Sequence, residues 1–294
     1  VLLTLAHWLT THGYGALVPY LPRSGIAYVL ATLVVAILAY HRLVTAGIPE
    51  RQVLWLITIM SLGLAIGPRL YELVITGALW TRPPREWLGS QGVASWGGYL
   101  GVGLTALAYM LFAQPPLPLA RTFDAIWSSA ALAEVIARGA CMLNGDDFGL
   151  PTALPWGIRF LPGSLAYAAQ LKAGLITPAA ATSLPVHPLP VYLAIASLVV
   201  FVLTTIVWRR RRDVPGLTSG VYFLAYGVLR FPLEFLRDPS QGGVPGGISS
   251  AQIMCLVYIA LGTGILLLGP VRKTLGRHES VTTASKPGTA WRVA

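Results

Sequence analysis

The sequence predicts an all-α, polytopic membrane protein with about seven spanning helices, and three observations carry that expectation. Hydrophobic residues make up 55% of the 294 and charged residues 11%, where ordinary soluble domains are about one quarter charged. Apolar runs of about 20 residues, the length needed to cross the hydrocarbon core as a helix, recur along the chain, and mean hydropathy is +0.66. Four consecutive arginines, Arg209–Arg212, directly follow one such run, the position of a basic cytoplasmic anchor.

Taken in order, residues 1–22 are apolar but broken by His7, His12, Gly13, Pro19 and Pro22. They read as an interfacial or partly re-entrant lead-in, and they lack the basic n-region of a signal peptide. The expected spans are then Ser24–Tyr40, Val53–Leu79, Gly92–Phe112, Leu119–Leu143, Val191–Trp208, Leu217–Phe235 and Ile253–Leu268. Gly67–Pro68 should kink the second span, and a polar loop, Thr81–Gln91, follows it. The third is dense in glycine, which lets another backbone or a lipid approach closely. Residues 144–186, rich in Pro, Gly and Trp, are too long for a simple connection and are expected to form a packed cap on the outer face. Residues 1–272 thus form a single membrane domain, and the polar tail 273–294 is expected to be disordered and cytoplasmic.

With Arg209–Arg212 in the cytoplasm, the N-terminus lies outside and the C-terminus inside. Of the 21 Lys and Arg, twelve then fall on cytoplasmic segments, six on external ones and three (Arg69, Arg138, Arg230) within spans, as the positive-inside rule requires. The net charge of +10 is therefore an orientation signal meeting anionic lipid, and no pattern of interleaved basic and aromatic residues points to nucleic acid. Cys141 and Cys255 lie in apolar surroundings without metal-ligand spacing and read as buried thiols. The similar pairs Arg69–Glu72 and Arg230–Glu234 do not amount to a transporter-style repeat.

Two stretches carry the chemistry. The first, Ala137–Phe160, places Arg138 at a depth where charge is costly and follows it with the turn-forming Asn144–Gly145–Asp146–Asp147 and then Gly149. The second, Tyr226–Pro239, carries Arg230, Glu234 and Arg237 at i, i+4 and i+7, on one helical face. Ionisable residues inside a span are functional candidates by default. Each arginine could merely neutralise its neighbouring carboxylate. Counted this way, however, Arg138, Arg230 and Arg237 outnumber Glu134 and Glu234, leaving positive charge for an anion, above all a phosphate that guanidinium grips with two parallel hydrogen bonds. The Asp146–Asp147 turn does not match a calcium loop, so neither a metal nor another cofactor is expected. His187, at the start of the fifth span, is a candidate general base.

At these residues the chain resembles the bacterial prolipoprotein diacylglyceryl transferase family, from about Ser24 to Leu268. Arg138–Gly149 with Pro151–Thr152 and Leu154–Pro155–Trp156–Gly157 is similar to the signature GRxGNFxNxExxGxPT followed by LPWG. Tyr226–Gly227, Arg230, Glu234–Phe235, Arg237 and Pro239 resemble the family's second arginine motif, and Gln252 a glutamine that follows it. Gly67–Pro68–Arg69–Leu70, Gly92–Leu100 and His187–Pro188 with Tyr192 resemble three further segments.

The resemblance implies transfer of a diacylglyceryl group from phosphatidylglycerol to the lipobox cysteine of a preprolipoprotein, in the bacterial inner membrane; a monomer is expected. It implies Arg138 and Arg230 as catalytic groups, with Asn144, Gly145, Asp146, Gly149, Tyr226, Glu234, Arg237, His187 and Arg69 around the substrates. Departures are visible too. Trp96 stands where the family commonly has His or Tyr before Gly–Gly, Cys141 where it has Asn, Ser24 where a Tyr is typical, and Leu150 where an Arg is common. Leu189–Pro190 and Leu193 replace Ser–Gln and Glu. If the missing histidine is the base, His187 or Asp146 must replace it. The alternative is a non-catalytic phospholipid-binding or lipid-moving relative that keeps the anion cavity without the base.

Overall fold

Helix α1 (Ser24–Thr45) opens the described part of a computed structural model, which covers residues 24–81, 83 and 95–284, with side chains described for 29–81, 83, 97–142 and 145–268. The lead-in at 1–22, nearly all of the loop 81–91 and the last ten residues lie outside the described residues. Then come α2 (Glu50–Ile75), the single turn α3 (Ala78–Thr81), α4 (Ser95–Phe112) and α5 (Leu119–Asn144). The cap segment holds the short α6 (Leu165–Lys172), and α7 (Leu189–Arg211), α8 (Leu217–Leu233) and α9 (Ser250–Ala284) complete the order. Among the described residues there is no strand, only three isolated bridges within or against the cap.

Three of these helices, α2, α7 and Ser250–Leu268 of α9, are long and apolar enough to cross a membrane, and Val29–Thr45 and Gly97–Phe112 are shorter apolar helices. Burial is inverted relative to a soluble protein. Ile37, Ile66 and Ile195 are 57–59% exposed on helix exteriors, whereas Asp124, Glu134, Glu234 and Arg237 are at most 7% exposed inside. An apolar exterior around a polar interior is what lipid as the outer solvent requires.

The expected boundaries hold to within a few residues, with three differences. The helix over Val53–Leu79 runs unbroken through Pro68 but stops at Ile75, where Gly77 takes φ +69°. The helix expected to reach Phe235 ends at Leu233, one residue past Pro232, and Glu234–Leu236 tightens into a 3-10 turn instead. The segment from 273, read as disordered, continues α9 as helix to Ala284, consistent with the good helix formers Arg272, Lys273, Leu275 and Arg277.

Helix α2 packs on α4, and α5 lies at the centre against α1, α7 and α8, with α9 behind α8. The α2–α4 contact is backbone to backbone: a Cβ on Gly67 would stand 2.2 Å from the Gly97 carbonyl oxygen. The glycine-rich third span is thus a close helix contact. Asp124 of α5 is buried and accepts the N–H groups of Gly216 and Ser219 and the Ser219 hydroxyl, all at 2.7 Å. It caps the N-terminus of α8 from another helix. Helix α9 opens with a capping box, in which Ser249 N–H donates to Gln252 Oε1 at 2.8 Å and Gln252 N–H to Ser249 Oγ at 3.2 Å.

Candidate functional site: three arginines and three carboxylates

The site forms where α5 and α8 end on the cap side. Gly145, with φ +71°, stops α5 by turning left-handed and donates its N–H to the Cys141 carbonyl. The chain then passes between two others. Gly149 N–H donates to His187 O (3.0 Å), Leu150 N–H to Leu236 O (2.8 Å), and Asp238 N–H to Phe148 O (3.3 Å). Only glycine fits at 149, since a Cβ there would meet Leu236 O at 2.6 Å and the His187 Cβ at 2.7 Å. Phe148, Phe160 and Val186 bury themselves behind this turn and hold the cap on the bundle. Asp147, at φ +56° and with its N–H donated to Gln241 Oε1 at 3.0 Å, is thereby aimed at the bundle.

There the guanidinium groups meet. Arg138 donates from Nε to Glu134 Oε2 at 3.1 Å, pairs with the same oxygen through Nη2 at 3.0 Å, and gives Nη1 to one Asp147 oxygen. Arg237 gives Nη1 to the other Asp147 oxygen and Nε to Glu234. Asp147 therefore bridges arginines from α5 and from the segment after α8. Burial alone would push the Asp147 carboxyl up; Arg138 and then Arg237 outweigh it and hold it below its ordinary 3.8.

Arg230 is held more loosely. Its Nη1 donates to the Tyr226 hydroxyl at 3.0 Å, while Nη2 stands 3.8 Å from Glu234 Oε2, beyond hydrogen-bond reach. Glu234 is already engaged by Arg237. Tyr99 of α4 donates its hydroxyl to the second Glu134 oxygen and closes the network on its far side. Arg230 and Tyr226 also line a seam between α7 and α8 whose other walls are Leu193, Ala196, Ser197, Val200 and Leu229, closed too tightly in this structure to admit a water.

Most of the residues singled out in the sequence converge here. Arg138, Arg230, Glu234, Arg237 and Tyr226 belong to one network, and Gly145 and Gly149 shape the turn that feeds it. Arg69 pairs with Glu72 in α2 at 2.6 Å. The His187 ring meets Tyr192, with Nδ1 3.4 Å from the hydroxyl, and Trp156 Nε1 donates to that hydroxyl at 2.6 Å; among the described residues no hydrogen bond joins the ring to an arginine. The side chains of Asn144 and Trp96 lie outside the described residues. Asp146 donates its N–H to Cys141 O, and its neighbour Asp147 carries the ion pairs.

Tyr99 and Gln241 escaped the sequence reading, which noted Asp147 only as part of the turn and not as the partner of the arginines. The positive charge counted there is correspondingly revised. Three guanidinium groups face three carboxylates, so the cluster is neutral as a whole, and what it offers an anion is the incomplete engagement of Arg230.

The profile of the family described as prolipoprotein diacylglyceryl transferase matches residues 22–268. The chain belongs to that family. A phosphatidylglycerol–prolipoprotein diacylglyceryl transferase of Ruegeria pomeroyi is 32% identical over 269 residues, 84% of this chain and 87% of the relative. One from Cereibacter sphaeroides is 32% identical over 258 residues, covering 80% and 84%. One from Thermotoga maritima is 29% identical over 208 residues, covering 69% and 66%. Within this diacylglyceryl transferase family, the two motifs that carried the resemblance are the two stretches that Asp147 ties together here.

Proposed function

We propose that the protein transfers a diacylglyceryl group from phosphatidylglycerol to the lipobox cysteine of a preprolipoprotein, as a multi-pass enzyme of the bacterial inner membrane. The observation that carries this reading is Arg230: a largely buried guanidinium only partly satisfied, at the apolar seam between α7 and α8, beside a second arginine locked in place. Phosphatidylglycerol pairs a phosphodiester with two acyl chains. Its phosphate would take the open donors of Arg230, with Arg138 adding positive charge nearby. A chain of ion pairs through Asp147 and Glu234 keeps both arginines oriented before the lipid arrives, so little reorganisation accompanies the reaction.

In the transfer step the cysteine sulfur forms a bond to the glyceryl carbon as that carbon's bond to the phosphate oxygen breaks. Glycerol phosphate leaves with the electron pair, and the growing charge falls where the guanidinium groups point. The thiol must lose its proton to attack. His187, whose backbone carbonyl accepts from Gly149 N–H and whose N–H donates to Leu150 O, is the proposed acceptor, with Asp146 the other group in reach of the turn. Asn144, Gly145, Gly149, Tyr226, Glu234, Arg237 and Arg69 are assigned to shaping and holding the substrate region.

Seven spans, α1, α2, α4, α5, α7, α8 and α9, fit this reading, with the N-terminus outside and the C-terminus in the cytoplasm. Residues 1–272 act as one monomeric domain in the bilayer, with 144–186 as its outer cap. Expression in a transferase-deficient bacterium tests the function. Rescue of growth with diacylglyceryl-modified lipoprotein is expected; failure to rescue, with phosphatidylglycerol still bound by the purified protein, would favour the non-catalytic lipid-binding alternative.

A further inference from the structure

At the opposite end of the bundle a second set of arginines surrounds a cavity of about 210 Å³ lined by Thr45, Ala46, Arg121, Trp208, Arg212 and Asp213. A single water needs only ~15 Å³ by this kind of measure. The walls come from the end of α1, the first turn of α5 and the end of α7. Arg42 lies one turn deeper between the same helices: it precedes Thr45 and Ala46 on α1, and its partners Phe201 and Thr205 precede Trp208 and Arg212 on α7. Only 7% exposed, Arg42 donates from Nη2 to Thr205 Oγ1 at 2.8 Å and lies 5.6 Å from the Phe201 ring centroid. Its Nη1 is buried with no hydrogen-bond partner.

Among the described residues, no ion pair joins Arg42, Arg121 or Arg212 to a carboxylate, and Asp213 is the one acidic residue on the cavity wall. Orientation and helix dipoles explain Arg209–Arg211, which sit in the last turn of α7 where cations are favoured. The dipole does not explain Arg121, which lies in the first turn of α5, where it disfavours a cation. Nor does it explain a buried guanidinium with an orphan donor. Helix α5 also begins at Pro118 without a side-chain cap, so its first-turn N–H groups remain available to an acceptor.

We propose that this cavity is a second phosphate-binding site, in which Arg121 and Arg212 grip the phosphate at the rim while Arg42 supplies positive charge from beneath. The phosphate could be carried by an anionic lipid headgroup or be free in the cytoplasm. The site is independent of the transfer chemistry proposed for the cap end.

The test uses the full-length protein in neutral detergent, titrated separately with short-chain phosphatidylglycerol and with inorganic phosphate. It is run on Arg230→Ala, so that the outer site does not contribute, with and without R121Q/R212Q. Because both glutamines replace exposed side chains, folding is expected to survive. Adding R121Q/R212Q should weaken binding at least ~10-fold, as loss of charge-assisted contacts implies. Loss for phosphatidylglycerol alone assigns the site to a lipid headgroup, and loss for both ligands assigns it to phosphate itself. Equal affinity with and without R121Q/R212Q for both ligands overturns the proposal. Failure of the transfer reading would appear instead as an inactive wild type and leave this binding comparison intact.

Discussion

The two arginine clusters sit at opposite ends of α7, whose 23 residues span roughly 34 Å, and they treat charge in opposite ways. At the cap end three guanidinium groups, one buried and two largely so, are matched by three carboxylates, one of which, Asp147, is delivered by a turn that only glycine at 149 permits. At the other end, among the described residues, Arg42, Arg121 and Arg212 have no ion-paired carboxylate, and the nearby buried acid, Asp124, is spent on capping α8. The difference teaches that burial alone does not set the charge balance. At the cap end the guanidinium groups are matched internally, and at the other end the exposed Arg121 and Arg212 leave their counter-charge to water and headgroups. Buried Arg42 has the Thr205 hydroxyl and the Phe201 ring and keeps an orphan donor.

The largest break in this comparison is Arg138→Ala, which leaves Glu134 and Asp147 facing an empty position. Transfer to a lipobox peptide in phosphatidylglycerol proteoliposomes should fall at least ~100-fold. Arg138→Lys should recover little of it, because an ammonium cannot serve Glu134 and Asp147 together in this fork geometry. Removing the bridge itself, by Asp147→Asn, should destabilise the protein by about 2–3 kcal/mol, reduced from the value for a fully buried pair by partial exposure of this carboxylate.

That loss has a defined pH dependence. Since the Asp147 carboxyl is held below its ordinary 3.8, its contribution is fully present above that value and disappears as pH falls through the lower, folded value. Thermal melts of wild type and Asp147→Asn should therefore differ near neutrality and converge only in acid below about pH 3.8.

A smaller effect is expected at the other end. Asp124→Ala removes the trans cap on α8 and should cost about 1–2 kcal/mol in denaturation measurements, with little change in transfer once the protein is folded. Smallest of all, R121Q/R212Q should leave transfer within about twofold of wild type, because neither side chain touches the cap-end network. A large loss of transfer there would erase the distinction between the two clusters.

Much of this was legible in the chain. Apolar runs fixed the helices because lipid demands about 20 apolar residues per crossing, and Arg138, Arg230, Glu234 and Arg237 stood out because charge is scarce at that depth. Ser249-x-x-Gln252 is also a readable capping signature, although Gln252 drew notice only through the family pattern. What stayed hidden depends on contacts distant in sequence. Asp146 and Asp147 are adjacent and chemically alike, and only the left-handed turn and the Gln241 contact, 94 residues away, decide which faces the arginines. Tyr99 reaches Glu134 across two helices, and Asp124 caps a helix 92 residues later. Helical periodicity put Arg237 on the face of Arg230, whereas the helix ends at Leu233 and Arg237 reaches Glu234 from an extended residue.

The most direct test of the central claim is the transfer rate of Arg230→Ala in phosphatidylglycerol proteoliposomes, with its thermal stability measured alongside. Arg230 makes the loosest ion pair of the cap-end cluster, so its loss should leave the fold near wild-type stability while transfer falls at least ~100-fold. A stable Arg230→Ala protein that transfers within a few-fold of wild type would contradict the account, because the lipid phosphate would then be held elsewhere.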